Sequence, residues 1–235
     1  MFYHWHPQIA LRYFPVVKFI KSLKIRNPKI VEVGSGALGI GPYIKHQFTG
    51  VDVDFTGPTW PKLKKVKASA EKLPFENKFF DIALSVDVLE HLPVKIRQKS
   101  VEELLRVAKS AVVIAVPTGK LSDAQDMSLD KLYRQKFAKP FEFLSEHLKY
   151  KLPEEKQIIK WIKSAAKKSH KSIIMSTHGN RNLNLRMWLM KGWMSKRFIV
   201  NVFFRKILLL FLPLLAFIDK HPPHYRRIFF VKINQ

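Results

Sequence analysis

Through the first half of the chain, short runs of apolar and β-branched residues alternate with stretches whose apolar positions recur every three or four residues. The first pattern suits buried strands and the second suits amphipathic helices. Strands are expected at residues 29–33, 49–53, 64–67, 81–85, 111–116, 172–176 and 228–233, and the clearest helices at 9–23, 96–108 and 153–168. Pro153 and the glutamates that follow it open the last helix, because its exposed N–H groups favour a proline and negative charge. This alternation predicts an α/β fold, a Rossmann-like doubly wound sheet. The long connections after the fifth and sixth strands are too extended for plain loops, so each predicts a helical insertion.

One domain is expected over residues 1–235. Its parts are an N-terminal helix (1–27), a core (28–118), an insertion (119–152), a helix with the sixth strand (153–177), a basic apolar lid (178–225) and the last strand (226–235). Length and composition agree with this: 235 residues with 47% hydrophobic positions can bury a core, which excludes a disordered tail. The absence of cysteine excludes disulfides, thiolate metal sites and a cysteine nucleophile. The start, MFYHWHPQ, has no basic stretch followed by an apolar one, so a cytoplasmic protein is expected.

Charge alters the picture more than composition does. Lys and Arg total 42 against 18 Asp and Glu, a net +24, and residues 181–235 hold 11 basic residues and 1 acidic. Such asymmetry points the C-terminal quarter towards an anionic partner, either a phospholipid surface or a nucleic acid.

The segment KIVEVGSGALGIGP places a strand directly before a glycine-rich turn, with Gly34, Gly36 and Gly39 in a G-x-G-x-x-G frame and Asp52 further on. That frame alone also fits a dinucleotide site. Glu32 discriminates, because a pyrophosphate would resent a carboxylate two residues before the first glycine, whereas a cation would welcome it. VEVGSGALG, then GVDVD, then ASAEKLPFENKFFDIALSVDVLEHLP closely resemble the class I S-adenosylmethionine-dependent methyltransferases, especially their small-molecule group. The resemblance covers roughly residues 28–118. It implies a seven-stranded sheet whose last strand runs antiparallel between the fifth and sixth, and S-adenosylmethionine as cofactor.

On that resemblance, Gly34, Ser35 and Gly36 pass beneath the methionine moiety, Glu32 orients its ammonium directly or through water, and Asp52, followed by Val53, holds both ribose hydroxyls. Ser69, Ala70 and Glu71 stand near the adenine, with Ser69 where the family usually carries an aspartate. Leu38 stands where the family often has its third glycine, so the turn is expected to be longer and its helix to start at Pro42. Asp87, ending the fourth strand, is a further cofactor contact.

Methyl transfer from a sulfonium needs positioning above all, and a base only where the acceptor must lose a proton. Ligands of parallel sheets bind beyond the carboxyl ends of the strands, which singles out His91 as the catalytic candidate, with His178 after the sixth strand and His147 in the first insertion as lesser ones. The histidines of HWHP and HPPH have few carboxylates nearby, and no metal site is expected.

Residues 198–218 approach a membrane-spanning length, but Arg205, Lys206 and Pro213 interrupt them, and a strand that must rejoin the sheet follows. Trp188 and Trp193 among basic residues suit an interfacial segment, so residues 184–218 are expected to be a lid able to meet an anionic membrane. The activity expected is methyl transfer to a small-molecule or lipid- or glycan-linked acceptor. The alternatives are RNA methylation, for which no target-base tetrad follows the fourth strand, and a binding module without turnover. Oligomeric state is not legible in this pattern.

Overall fold

In the computed structural model, which describes residues 6–234, seven strands form one sheet in the order β3-β2-β1-β4-β5-β7-β6. They are β1 (Ile30–Val33), β2 (Phe48–Asp52), β3 (Leu63–Lys67), β4 (Phe80–Val86), β5 (Ala108–Pro117), β6 (Ile173–Asn182) and β7 (His224–Ile233). The first five run parallel, and β7 enters antiparallel between β5 and β6, as expected.

Each sheet face has its own apolar cover. On one side α2 (Val94–Val107) and α5 (Glu155–Lys168) lay Leu104, Leu105, Ile158 and Ile162 against Val31, Val112 and Phe229. On the other, α1 (Pro7–Ser22) sets Tyr13, Val16 and Ile20 against Ile82, Leu84, Val113 and Phe230. The helix start at α1 follows from its sequence: Pro7 supplies a preset φ, and the His6 side chain accepts a hydrogen bond from the Gln8 N–H.

Several boundaries differ from the expectation. The helix expected to run through residue 108 ends at Val107, and β5 begins at once, because Ala108 pairs with Phe80 and a bulge then absorbs one extra residue before Ala111 meets Ile82. Strand β6 runs to Asn182 rather than residue 176, held by its ladder with β7, while its alternating exposure marks it as a sheet edge. Helix α5 starts at Glu155 rather than Pro153, since Glu154 and Gln157 form a reciprocal capping box. No α-helix starts at Pro42. A single 3₁₀ turn, Gly41–Tyr43, replaces it, with the Trp60 indole filling the space that a side chain at residue 41 would need.

Both insertions are helical. After β5 come α3 (Lys120–Phe137) and α4 (Glu142–Tyr150); after β6 come α6 (Leu183–Trp193), α7 (Phe198–Arg205), a 3₁₀ turn (Ile207–Phe211) and α8 (Leu212–Ile218). Leu185 and Leu189 of α6 pack with Leu11, Leu208, Leu212 and Leu215, which ties the lid to α1. Residues 198–218 are long and apolar enough to cross a membrane by length and composition. Here they fold as short pieces that break at Lys206, and none approaches the roughly 20 residues of a spanning helix.

Candidate active site

The glycine turn leaves β1 towards β2. Gly34 donates to the Val51 carbonyl at 2.7 Å, and Gly36 donates to Asp52 Oδ2 at 2.7 Å, so the turn is laced to the carboxyl end of the neighbouring strand. Gly34, Gly36 and Gly39 all have positive φ, which L side chains rarely adopt. Their surroundings differ. A side chain on Gly34 would collide with Val88, and one on Gly39 with the Glu32 carboxylate, while nothing lies within 4 Å of the position a Cβ on Gly36 would take. The backbone at Gly36 is therefore open to an approaching molecule. Ser35, buried beside it, donates to the Gly36 carbonyl.

Asp52 also accepts from the Val53 and Asp54 N–H groups through Oδ1. Oδ1 is thereby filled, while Oδ2, with one bond from Gly36, keeps a lone pair, so these bonds orient the group without exhausting it. Val53 is exposed just beyond it. The Ala68 N–H donates to the Asp52 carbonyl, which brings the turn of Ser69, Ala70 and Glu71 alongside the same strand end.

Two of the expected contacts stand elsewhere. Glu32 is fully buried under the turn, where Oε1 accepts from the Tyr13 hydroxyl at 2.7 Å and Oε2 from the Ile40 N–H at 2.6 Å. Burial raises its carboxyl to about 7 despite the lowering effect of these two bonds, and it shapes the glycine turn from below instead of reaching over it. Asp87 is gripped by both nitrogens of an Arg226 fork and by Arg12 Nε at 2.9 Å. Burial alone would raise its pKa, yet the two guanidiniums hold it at about 2. Asp87 is thus the centre of an ion cluster joining α1, β4 and β7 rather than an open cofactor ligand, because its oxygens are already engaged.

The loop after β4 continues into a second cluster. His91 Nδ1 lies 2.6 Å from Glu146 Oε2, and its Nε2 lies 3.3 Å from His147 Nε2. His147 Nδ1 is 2.8 Å from Asp126 Oδ2, and Asp126, fully buried, also accepts from Tyr225 and Arg186. Burial, then the neighbouring His147, lowers the His91 pKa, and burial together with Asp87 pushes that of Glu90 well above the carboxylate range. Helix α4 thereby brings His147 to His91. His178 does not join them: it sits exposed within β6, opposite Ile228, since the strand continues past it.

Residues 31–116 match the family model described as a methyltransferase domain. The likeness to that family is carried by these residues, which span β1 to β5 of the sheet. The open Gly36 backbone beside the Asp52 carboxylate leaves room for a ligand at the carboxyl ends of these strands. A curated relative, an uncharacterised protein of Haemophilus influenzae, is 30% identical across 36% of this chain, a match that spans 39% of the relative's length. Among solved structures, phosphoethanolamine N-methyltransferase 2 of Haemonchus contortus in complex with S-adenosylmethionine is 16% identical with a TM-score of 0.53, covering 94% of this chain and 52% of that one. The magnesium protoporphyrin IX methyltransferase of Synechocystis PCC 6803 with bound S-adenosylhomocysteine is 12% identical with a TM-score of 0.52, covering 97% and 83%. A possible histamine N-methyltransferase of Thermotoga maritima is 13% identical with a TM-score of 0.51, covering 97% and 96%. These likenesses establish the methyltransferase fold.

Sequence reasoning missed Arg12, Arg226, Asp126, Arg186 and Tyr225. Each reaches these clusters from an element far away along the chain, and no local spacing connects them. The available signal for Arg226 was its place at the start of a strand that must return beside β5.

Proposed function

We propose that the methyltransferase domain methylates a small-molecule or lipid- or glycan-linked acceptor at the carboxyl edge of the sheet while residues 184–218 rest on an anionic membrane surface. Bound S-adenosylmethionine supplies an activated methyl group on a sulfonium. Asp52 holds the ribose, the backbone of Gly34, Ser35 and Gly36 lets the methionine moiety approach, and Ser69, Ala70 and Glu71 flank the adenine. Glu32 acts through the turn it supports. His91, whose Nδ1 is held by Glu146, is the group of this chain best placed to take a proton from a hydroxyl acceptor.

The observation that carries the membrane part is the apolar face left outward by the lid. Phe198, Ile199 and Leu210 are about four-fifths exposed, Leu214 and Phe217 more than half, and no residue of α7 is buried. Apolar side chains exposed in one region, among Lys196, Arg197, Arg205 and Lys206, have the composition of an interfacial segment.

The test has two arms. Calorimetry with S-adenosylmethionine is expected to show binding that Asp52→Ala weakens by one to two decades, the loss of roughly 1.5 to 3 kcal/mol for a charge-assisted contact. Unchanged affinity, or tight binding of NAD instead, overturns the site assignment. Sedimentation with phosphatidylserine-containing vesicles is expected to retain the protein, partly resisting salt, and to lose it in a Phe198→Ser/Ile199→Ser variant. Failure to bind vesicles at near-physiological salt overturns the membrane part, and tight RNA binding that falls log-linearly with salt supports RNA as the partner instead.

A further inference from the structure

Glu90 is 1% exposed, and neither of its carboxylate oxygens has a hydrogen-bond partner. A buried carboxyl group whose oxygens have no hydrogen-bond partner is rare and disfavoured. What faces it is a pair of imidazoles, since ligand atoms of Glu90, His91 and His147 all lie within 4.8 Å of one another.

The protonation of those rings is constrained by their far sides. His91 Nδ1 is bonded to Glu146 and His147 Nδ1 to Asp126, and an ionised carboxylate can only accept. In the neutral rings the protons therefore sit on Nδ1, and each Nε2 presents a lone pair. These two lone pairs stand 3.3 Å apart, beside the unpartnered carboxyl group of Glu90. Three Lewis bases turned towards one point call for a cation. Two nitrogens bound at 2.0 to 2.1 Å to a tetrahedral zinc ion would themselves be separated by about 3.3 Å. A carboxylate behind each ligating imidazole is also the outer arrangement that metal-bound histidines usually have.

We propose that Glu90, His91 and His147 hold one divalent transition-metal ion of the zinc type. Two imidazoles and one carboxylate suit such an ion better than magnesium or calcium, which prefer oxygen throughout. Three protein ligands leave a fourth position for water or an acceptor oxygen. The ion's role rests on the methyltransferase reading: an acceptor hydroxyl at that position would be made more acidic, releasing its proton to solvent as its oxygen takes the methyl group and the sulfonium S–CH3 bond breaks. The binding itself does not depend on that reading.

The experiment strips the full chain with a chelator and titrates it with zinc ion alone in competition with a chromophoric chelator. One equivalent is expected to bind, and cobalt ion is expected to give the visible absorption of a tetrahedral site. Glu90→Gln is nearly isosteric and should weaken zinc binding by more than about 100-fold, while Glu146→Gln, which touches a ligand but not the ion, should weaken it by about 10- to 100-fold. His178→Asn should leave it unchanged. Circular dichroism melts confirm that each variant folds, and zinc should raise the melting temperature of the parent but not of Glu90→Gln. Failure to bind zinc, or binding that Glu90→Gln and Glu146→Gln leave intact, overturns the proposal. Zinc binding as described with no methyl transfer to any acceptor supports the site and overturns the role given to it. Full methyl transfer by the stripped protein also overturns that role, leaving His91 as a metal-free base.

Discussion

At the scale of single residues, the three glycines of the turn have unequal duties. Gly34→Ala drives a methyl group into Val88, whereas Gly36→Ala meets open space and bears only the strain of its positive φ. Gly36→Ala should cost about 1 to 2 kcal/mol of stability yet abolish measurable cofactor binding, because its methyl group projects where the ligand approaches. Gly34→Ala should be the more destabilised of the two, and paired urea titrations with calorimetry check both outcomes. Asp87 gives a separate prediction from its pKa. Held at about 2 in the folded chain against 3.8 for the free side chain, it contributes stability that is complete above pH 3.8 and is lost as the pH falls through 2. The contribution is about 2 kcal/mol. Urea unfolding between pH 5 and pH 2 should show this slope in the parent and a flatter one in Asp87→Asn, which should also be less stable at pH 7 for leaving Arg12 and Arg226 without their shared anion.

At the scale of elements, α5 shows how little sequence is needed to set a boundary. The reciprocal bonds of Glu154 and Gln157 satisfy N–H groups that would otherwise face water or nothing, and they place the helix start at Glu155, one residue after Glu154. Glu154→Ala should lower stability by about 0.5 to 2 kcal/mol with the cofactor affinity unchanged, as measured by urea unfolding beside calorimetry. The strands facing both helical layers were legible because their apolar runs are continuous. Strand β6 was legible only to residue 176, because its remaining half, THGNRN, is polar and reads as a loop. Only the ladder with β7, a feature of pairing rather than composition, keeps it extended. The same limit hid the end of α2, where the bulge at Ala108 depends on its partner Phe80.

At the scale of the whole molecule, the site divides by range. Gly34, Gly36 and Asp52 sit within one strand–turn–strand unit, so their association could be read from spacing, and the structure keeps them together. Glu32 and Asp87 were singled out by type and place, but their partners Tyr13, Arg12 and Arg226 come from the first and last elements described, and those partners determine what each carboxylate does. His147 reaches His91 through a helix whose docking no local pattern encodes.

The position of β7 between two earlier strands also has a consequence in time. On the ribosome, β5 and β6 emerge while the slot between them is still vacant, so β6 has no neighbour with which to form its ladder until β7 arrives. The ion cluster at Asp87 is completed late as well, because Arg226 is translated 214 positions after Arg12 (226 − 12). At ordinary elongation rates that delay is roughly 10 to 40 s. During it α1 and the glycine turn already form, but the part of the sheet beyond β5 does not. The seven-stranded sheet is therefore completed in a single late event, when the returning strand fills the slot between β5 and β6.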